Sequence, residues 1–504
     1  MWRDLNTRIE AAARGRLADY ERARQRRFVE NDRRTRRSTG VVDLVSTGLP
    51  SAWSYPPFDP RHVLRRRQSI AHAIGAAMRG RAYVPLTPYG YTVPKRGGGS
   101  RRVSSLAIAD EVVSLELFKA VLRKNRSRLS ARSFAYRSDV GQQDAIRHLR
   151  ATMCGAPRVY VAEYDLRNFF DSLDHDYLRG CISDLQLSLT SLEYSLLEAF
   201  MSCRHPEFGD WSDTGRARSR GIPQGTSASL VLANIATTPL DMQLEAMGLQ
   251  FARYADDLIV WGSDYGAVSA AAHTIWTWAT DAGIEVNSDK SPGVRLLVDA
   301  RVAESEIRQT HECEFLSHSF TVGAAAPSAE ALARIKAKVS RLLFDNLLRE
   351  PLQGAQHLGR FTTTDRDYVT YIWQLRRYLY GARSESEVRR LSTGAIPFTR
   401  FTGAVSMFPY CTDHVKFHEL DEWILNQTWL ALRKRSSLLA KAVSPSPVPW
   451  NLSRLSLREC RVTSATTGHR LDLRLPSTAR MAQVVSRAVQ VHGSRVVEQF
   501  GGLY

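Results

Sequence analysis

A chain of 504 residues with 43% apolar and 24% charged side chains is an ordinary folded protein, with room for several subdomains. Its formal charge of +18 favours a polyanionic partner, nucleic acid before any other, because the arginines cluster. Six scattered cysteines without a C-x-x-C pair exclude a zinc ribbon and a disulfide scaffold, and a charged N-terminus excludes a secretory signal, so reduced thiols and a cytoplasmic location are expected.

In chain order, residues 1–40 read as an Arg-rich helix, either a solvated face or a nucleic-acid arm. Residues 47–60 are a Pro- and aromatic-rich loop, and a helix is expected from His62 to Arg81. Strand-like runs flank "KRGGGSRR", a Gly-rich turn loaded with cations. Ala109 to Arg132 reads as a basic helix, and "RVYVAEYD" as a strand ending at Asp165. A helix is expected from Asp174, a polar loop over 205–220, and a turn passing into a helix in "GIPQGTSASLVLANI". "FARY", "LIVWG" and "GIEVNS" are short strands around one long helix. The apolar stretch from Ala267 contains His273 and reads as that packed helix, so no membrane partner is expected. Beyond residue 328 the chain reads as helical, with Leu332, Ile335, Val339 and Leu342 recurring on one stripe.

The run "FARYADDLIVW" sets two adjacent carboxylates in apolar surroundings. A straight strand would send one of them into a core, where an unpaired charge is costly. A tight turn at Ala255-Asp256-Asp257 brings both to one side, at a hairpin tip. Asp165, at the end of its own apolar strand, supplies a third acid if that strand lies beside the hairpin. Close anions repel unless a cation joins them, and hard oxygens suit Mg²⁺ or Mn²⁺. Three such acids can hold two ions about 4 Å apart for phosphoryl transfer. An Asp-Asp pair alone would read as a surface turn; the upstream strand ending in Asp165 tells against that.

"VPKRGGGSRR", "YVAEYDLRNFFDSLDH", "GIPQGTSASLVLANI", "RYADDLIVWG", "GIEVNSDKS" and "FLSHSF" resemble, in order and spacing, the successive motifs of reverse transcriptases, over roughly residues 85–325. The resemblance implies an α+β right-hand polymerase. Residues 1–60 would form an N-terminal extension, 61–157 fingers, 158–325 palm, 326–400 a helical thumb, and 401–504 an extension for RNA binding or oligomerisation. It implies RNA-directed DNA synthesis with two Mg²⁺ ions, Mn²⁺ being an alternative. Asp165, Asp256 and Asp257 would hold the metals, with the Leu166 carbonyl beside them. Phe170 would be the gate against a ribose 2′-OH, although Phe169 and Phe170 also suit a core. Gln224 and Gly225 would lie against the incoming nucleotide. Lys95, Arg101 and Arg102 would clamp its triphosphate, one of the arginines meeting template phosphate instead. Lys290 would stand near the phosphates or on the surface, and Arg137 would touch nucleic acid. Glu163 reads as a structural ion pair, and His175 as structural.

The resemblance further implies an RNA template, dNTPs, a DNA product and, for some relatives, a homo-oligomer. There is no second acidic constellation for an RNase H domain, no Cys/His-rich endonuclease tail and no retron signature, which leaves stand-alone bacterial enzymes of antiviral defence by elimination. Template-independent or protein-primed synthesis, an intron- or retron-type enzyme, and a non-catalytic RNA-binding scaffold are the competing readings.

Overall fold

In the computed structural model of the protein, the described residues are 4–35, 48–94, 100–156, 158–209, 211–299, 306–354, 361–381, 383–463 and 468–497. Helix α1 (Leu5–Thr35) buries Leu5, Ile9 and Ala13, spaced four apart on one stripe, while Arg22, Arg24, Arg26 and Arg27 stay exposed. Helix α2 (Pro60–Arg79) begins two residues earlier than expected, because the Asp59 carboxylate accepts from the N–H groups of Arg61 and His62 and Pro60 needs no donor partner in the first turn.

Strands β1 (Tyr89–Pro94) and β2 (Ser100–Ser105) form an antiparallel hairpin in which Pro94 stands opposite Ser100. Helix α3 (Ile108–Asn125) is buried on most faces, and α4 (Gln142–Met153) precedes the long strand β3 (Val159–Arg167). The one-turn α5 (Phe169–Ser172), α6 (His175–Asp184) and α7 (Ser191–Met201) follow, and β4 (Glu207–Phe208) runs parallel to β1. Asp174 caps α6 at the expected boundary.

Helix α8 (Ser227–Ala246), strands β5 (Gln250–Tyr254) and β6 (Asp257–Gly262), helix α9 (Tyr265–Asp281), and strands β7 (Glu285–Val286), β8 (Arg295–Leu297) and β9 (Gln309–Thr310) complete the centre. The sheet runs β5-β6-β3-β8-β9, with β7 paired to the end of β3. Alternation along β3 and β6 divides two cores. Tyr160, Ala162, Tyr164, Leu258 and Val260 enter one core with α3, α8 and α9; Val159, Val161, Ile259 and Trp261 enter the other with α4.

Strands β10 (Cys313–Phe315), β11 (His318–Phe320) and β12 (Ala325–Pro327) form a small antiparallel sheet. The remainder is helical as expected: α10 (Ala329–Leu343), α11 (Arg349–Leu352), α12 (Arg366–Tyr380), α13 (Glu385–Ser392), α14 (Val415–Leu439) and α15 (Thr478–His492). The exception is a hairpin of β13 (Arg461–Thr463) and β14 (Arg470–Asp472), too short to leave a periodic signal. One core runs without a break from Val161 through Ile335 and Tyr371 to Leu432 and Val489. Within it the Arg435 guanidinium bonds Asp365 and Asp367, and the Trp450 indole N–H also donates to Asp365, so a buried cation meets two anions. Among the described residues no helix is long and apolar enough to cross a membrane.

Candidate active site

The site grows from the pairing of β3 with β6. Six consecutive antiparallel pairs run from Tyr160–Gly262 to Asp165–Asp257, so the first and third acids of the expected triad are direct cross-strand partners. Tyr254 pairs with Asp257, leaving Ala255-Asp256 as a two-residue turn. Ala255 adopts φ +60°, and that reversal lets Asp256 and Asp257 escape strict alternation. The turn is held from behind by a residue that the sequence reading passed over. The buried Arg253 guanidinium donates to both oxygens of the buried Asp241 (2.8 and 2.6 Å), to Ser133 Oγ (2.6 Å) and to the Ala255 carbonyl (3.4 Å).

The acids are under electrostatic load. Desolvation by the surrounding protein, with the charge of Asp165, raises the Asp256 carboxyl above its ordinary range, against the pull of Arg101 and Lys290. Water reaches the edge of Asp257, yet desolvation and then repulsion from Asp256 and Asp165 push it up to about 7. The repulsion falls on a carboxylate that keeps an exposed edge. A bound cation would relieve it. Hard carboxylate oxygens converging under mutual repulsion fit a divalent metal chemically. As the side chains stand, no three His, Cys, Asp or Glu groups among the described residues form a ready coordination shell. Asp165 Oδ2 accepts from Asn287 Nδ2 (2.7 Å), and Lys290 Nζ stands 3.3 Å from Oδ2 and 3.4 Å from Oδ1.

Two clefts meet at Asp165 and Lys290. The first is lined by Arg101, Arg102, Leu166, Phe170, Gln224 and Asp256, and so gathers most of the expected nucleotide-facing residues. Its floor forms where Asn168, at φ +48°, turns the chain out of β3 into Phe169 and Phe170. Both rings are largely buried, and Phe170 also borders the cleft. The Gln224 carbonyl accepts from the Ser104 N–H (2.8 Å), which binds the "IPQG" turn to β2. Gly225, at φ +102°, lies so close that a Cβ would meet Val103 Cγ1 at 2.8 Å and the Ser104 carbonyl at 2.9 Å. The two arginines of β2 diverge. Arg101 acts electrostatically on Asp256, whereas the Arg102 guanidinium lies 5.1 Å over the exposed Phe208 ring.

The second cleft is lined by Asp165, Asp257, Lys290 and the β10–β11 hairpin. That hairpin turns through Leu316 (φ +50°) and Ser317 (φ +67°), the conformation of a two-residue primed turn. His318 beside it is fully buried; its Nδ1 faces the Leu316 carbonyl at 2.9 Å, and burial pushes its pKa down to about 4.

Other expected residues fall differently. Arg137 does not reach a nucleic-acid surface: its side chain is 5% exposed, pairs with Asp139 (2.7 Å) and donates to the Ser130 carbonyl (2.6 Å). Asp139, two positions on, was the overlooked partner. Lys95 lies outside the described residues. Glu163 pairs with Arg295 and accepts the Glu314 N–H, as expected of a structural acid, and His175 bonds the Gly221 carbonyl. Asn287 stood in the quoted "GIEVNSDKS" without an assignment; a lone amide after a two-residue strand leaves no pattern to read.

Residues 93–320 match the family model described as reverse transcriptase (RNA-dependent DNA polymerase). The chain carries a reverse transcriptase domain. Its fold is the right-hand polymerase fold, α+β as expected. Protein YkfC of Escherichia coli (strain K12) is 29% identical over 203 residues, covering 39% of this chain and 51% of that protein. A Saccharomyces cerevisiae protein named for COX1/OXI3 intron 1 is 31% identical over 158 residues, 30% of this chain and 18% of that one. The chain thus spans about half the length of YkfC and less of the yeast protein. Among solved structures, apo telomerase from Candida tropicalis aligns at 12% identity and TM-score 0.38, over 75% of this chain and 72% of its own. The RNA-dependent RNA polymerase of a human picorbirnavirus aligns at 12% identity and TM-score 0.39, over 71% and 60%.

Proposed function

We propose that this reverse transcriptase domain is an active RNA-directed DNA polymerase. The observation that carries the reading is the cross-strand pairing of Asp165 with Asp257 beneath a cleft that also holds Arg101, Phe170, Gln224 and Lys290. Asp165, Asp256 and Asp257, with the Leu166 carbonyl, are the groups that would hold two Mg²⁺ or Mn²⁺ ions. When bound, such ions lower the cost of charge on the attacking and leaving oxygens.

The chain's own residues do the rest. Arg101 faces the acids and clamps the triphosphate of a dNTP, together with Lys95. Arg102, turned toward Phe208, meets template phosphate. The Phe170 ring closes the floor where a ribose 2′-OH would stand. Gln224 and Gly225 give a flat backbone surface against the incoming base. Lys290 stays beside Asp165 and the phosphates, where its ammonium can give a proton to the departing pyrophosphate. In this reading residues 61–157 are fingers, 158–325 palm and 326–400 thumb, the β10–β11 hairpin supports the primer end, and residues 401–504 contact RNA or a second copy.

The biological setting we favour is that of a stand-alone bacterial enzyme copying an associated non-coding RNA in antiviral defence. The test is dNTP incorporation on a primed RNA template. Asp256→Ala/Asp257→Ala is expected to lose at least a thousandfold in rate while RNA binding survives; unchanged incorporation overturns the reading. Sequencing the nucleic acid that copurifies with the protein tests the defence setting.

A further inference from the structure

Asp165 is gripped by one short loop. The Asn287 backbone N–H donates to the Asp165 carbonyl (2.8 Å), and the Asn287 side-chain amide donates to Asp165 Oδ2 (2.7 Å). Ser291 Oγ accepts from the Asp165 N–H (3.3 Å). Asn287 is itself braced, because its Oδ1 accepts from Arg167 Nη2 (3.4 Å), and Arg167 also pairs with Glu285 (2.9 Å). The loop continues β7, which pairs with β3 at Leu166–Val286, so its position is set by the sheet rather than by its own polar contacts. A carboxylate on a strand end has two free torsions. The amide removes that freedom by claiming Oδ2, so that Oδ1 carries only the longer contact from Lys290 Nζ (3.4 Å).

We propose that Asn287 is a positioning residue: its side-chain amide fixes the Asp165 carboxylate in the orientation that a divalent ion requires. The inference rests on the polymerase reading of the acidic cluster. Hydrogen-bond partners of metal-binding groups commonly account for 10- to 100-fold in metal affinity. Asn287 is half-buried, and its backbone bond survives any substitution other than proline, so the loop keeps its path in the variants below.

The test is Mn²⁺ binding to the full-length protein without nucleotide, followed by electron paramagnetic resonance, for wild type, Asn287→Ala, Asn287→Ser and Asp256→Ala. Asn287→Ala is expected to weaken Mn²⁺ about tenfold. Asn287→Ser, which retains a donor, is expected to weaken it less. In primed incorporation, Asn287→Ala is expected to lower kcat about tenfold. A merely structural residue would shift the melting temperature and leave Mn²⁺ affinity alone. Wild-type affinity in Asn287→Ala, with Asp256→Ala weakened, overturns the positioning role and leaves the polymerase reading intact. Wild-type affinity in Asp256→Ala as well overturns both.

Discussion

At the residue scale the site is made by side chains whose neighbours differ from what their sequence positions suggest. Phe170 is the sharpest case. It is buried enough to pass as core, yet it borders the cleft beside Asp165 and Gln224. Phe170→Ala is expected to raise incorporation of rNTP relative to dNTP at least tenfold, measured as the ratio of the two kcat/KM values, with little loss of dNTP incorporation. His318 makes a different prediction. Its folded pKa lies near 4, below the ordinary histidine value, so between those limits the unfolded chain binds a proton that the folded chain refuses. Stability is therefore full at pH 7 and falls as the pH drops. From pH 7 to pH 5 the wild type is expected to lose about 2 kcal/mol more than His318→Gln, read from urea midpoints at the two values. Sequence alone placed Asp165 beside the Asp256-Asp257 turn, as the strand pairing does, because strand alternation and turn chemistry dictate where acids in apolar runs must go. It misplaced Arg137, because an arginine in a basic chain looks like a phosphate ligand until its own acid is found at position 139.

At the element scale the two hairpins and the long strand were legible, since period-two patterning and turns announce them. What holds them in place was less so. Nothing in "FARY" marks Arg253 as the strut behind the Asp256 turn, because its partner Asp241 lies on α8 and Ser133 in a distant loop. Breaking this buried pair by Arg253→Met leaves Asp241 charged and unpaired. The expected cost is about 3–5 kcal/mol, measured by chemical denaturation. The double variant Arg253→Met/Asp241→Leu is expected to recover much of that stability, because both charges leave together. It is not expected to recover incorporation, since the Ala255 carbonyl loses its anchor.

At the scale of the whole molecule, helical periodicity after residue 328 announced buried stripes without saying what buries them. The answer is each other. Tyr371, Leu375 and Leu379 of α12 share one core with Leu420, Leu425 and Leu432 of α14 and with Val484 and Val485 of α15. The last hundred residues therefore do more than extend the chain. Removing residues 401–504 is expected to strip that apolar face and to abolish cooperative unfolding of α10 and α12, seen as a broad melt with strong binding of a hydrophobic dye. The +18 charge bears on a partner rather than on this core. Affinity for RNA is expected to fall linearly in log–log form as salt rises, with a slope of about −0.7 per phosphate neutralised on a single strand.

The six matched pairs of β3 and β6 carry one more implication. A single codon gained or lost inside either strand would exchange front for back along the whole ribbon, sending Val161 or Ile259 to the wrong core and one aspartate toward the helices. Point changes in these strands can be graded, but changes of length cannot. A library of length variants should return soluble protein from the loops and none from the interior of this pair.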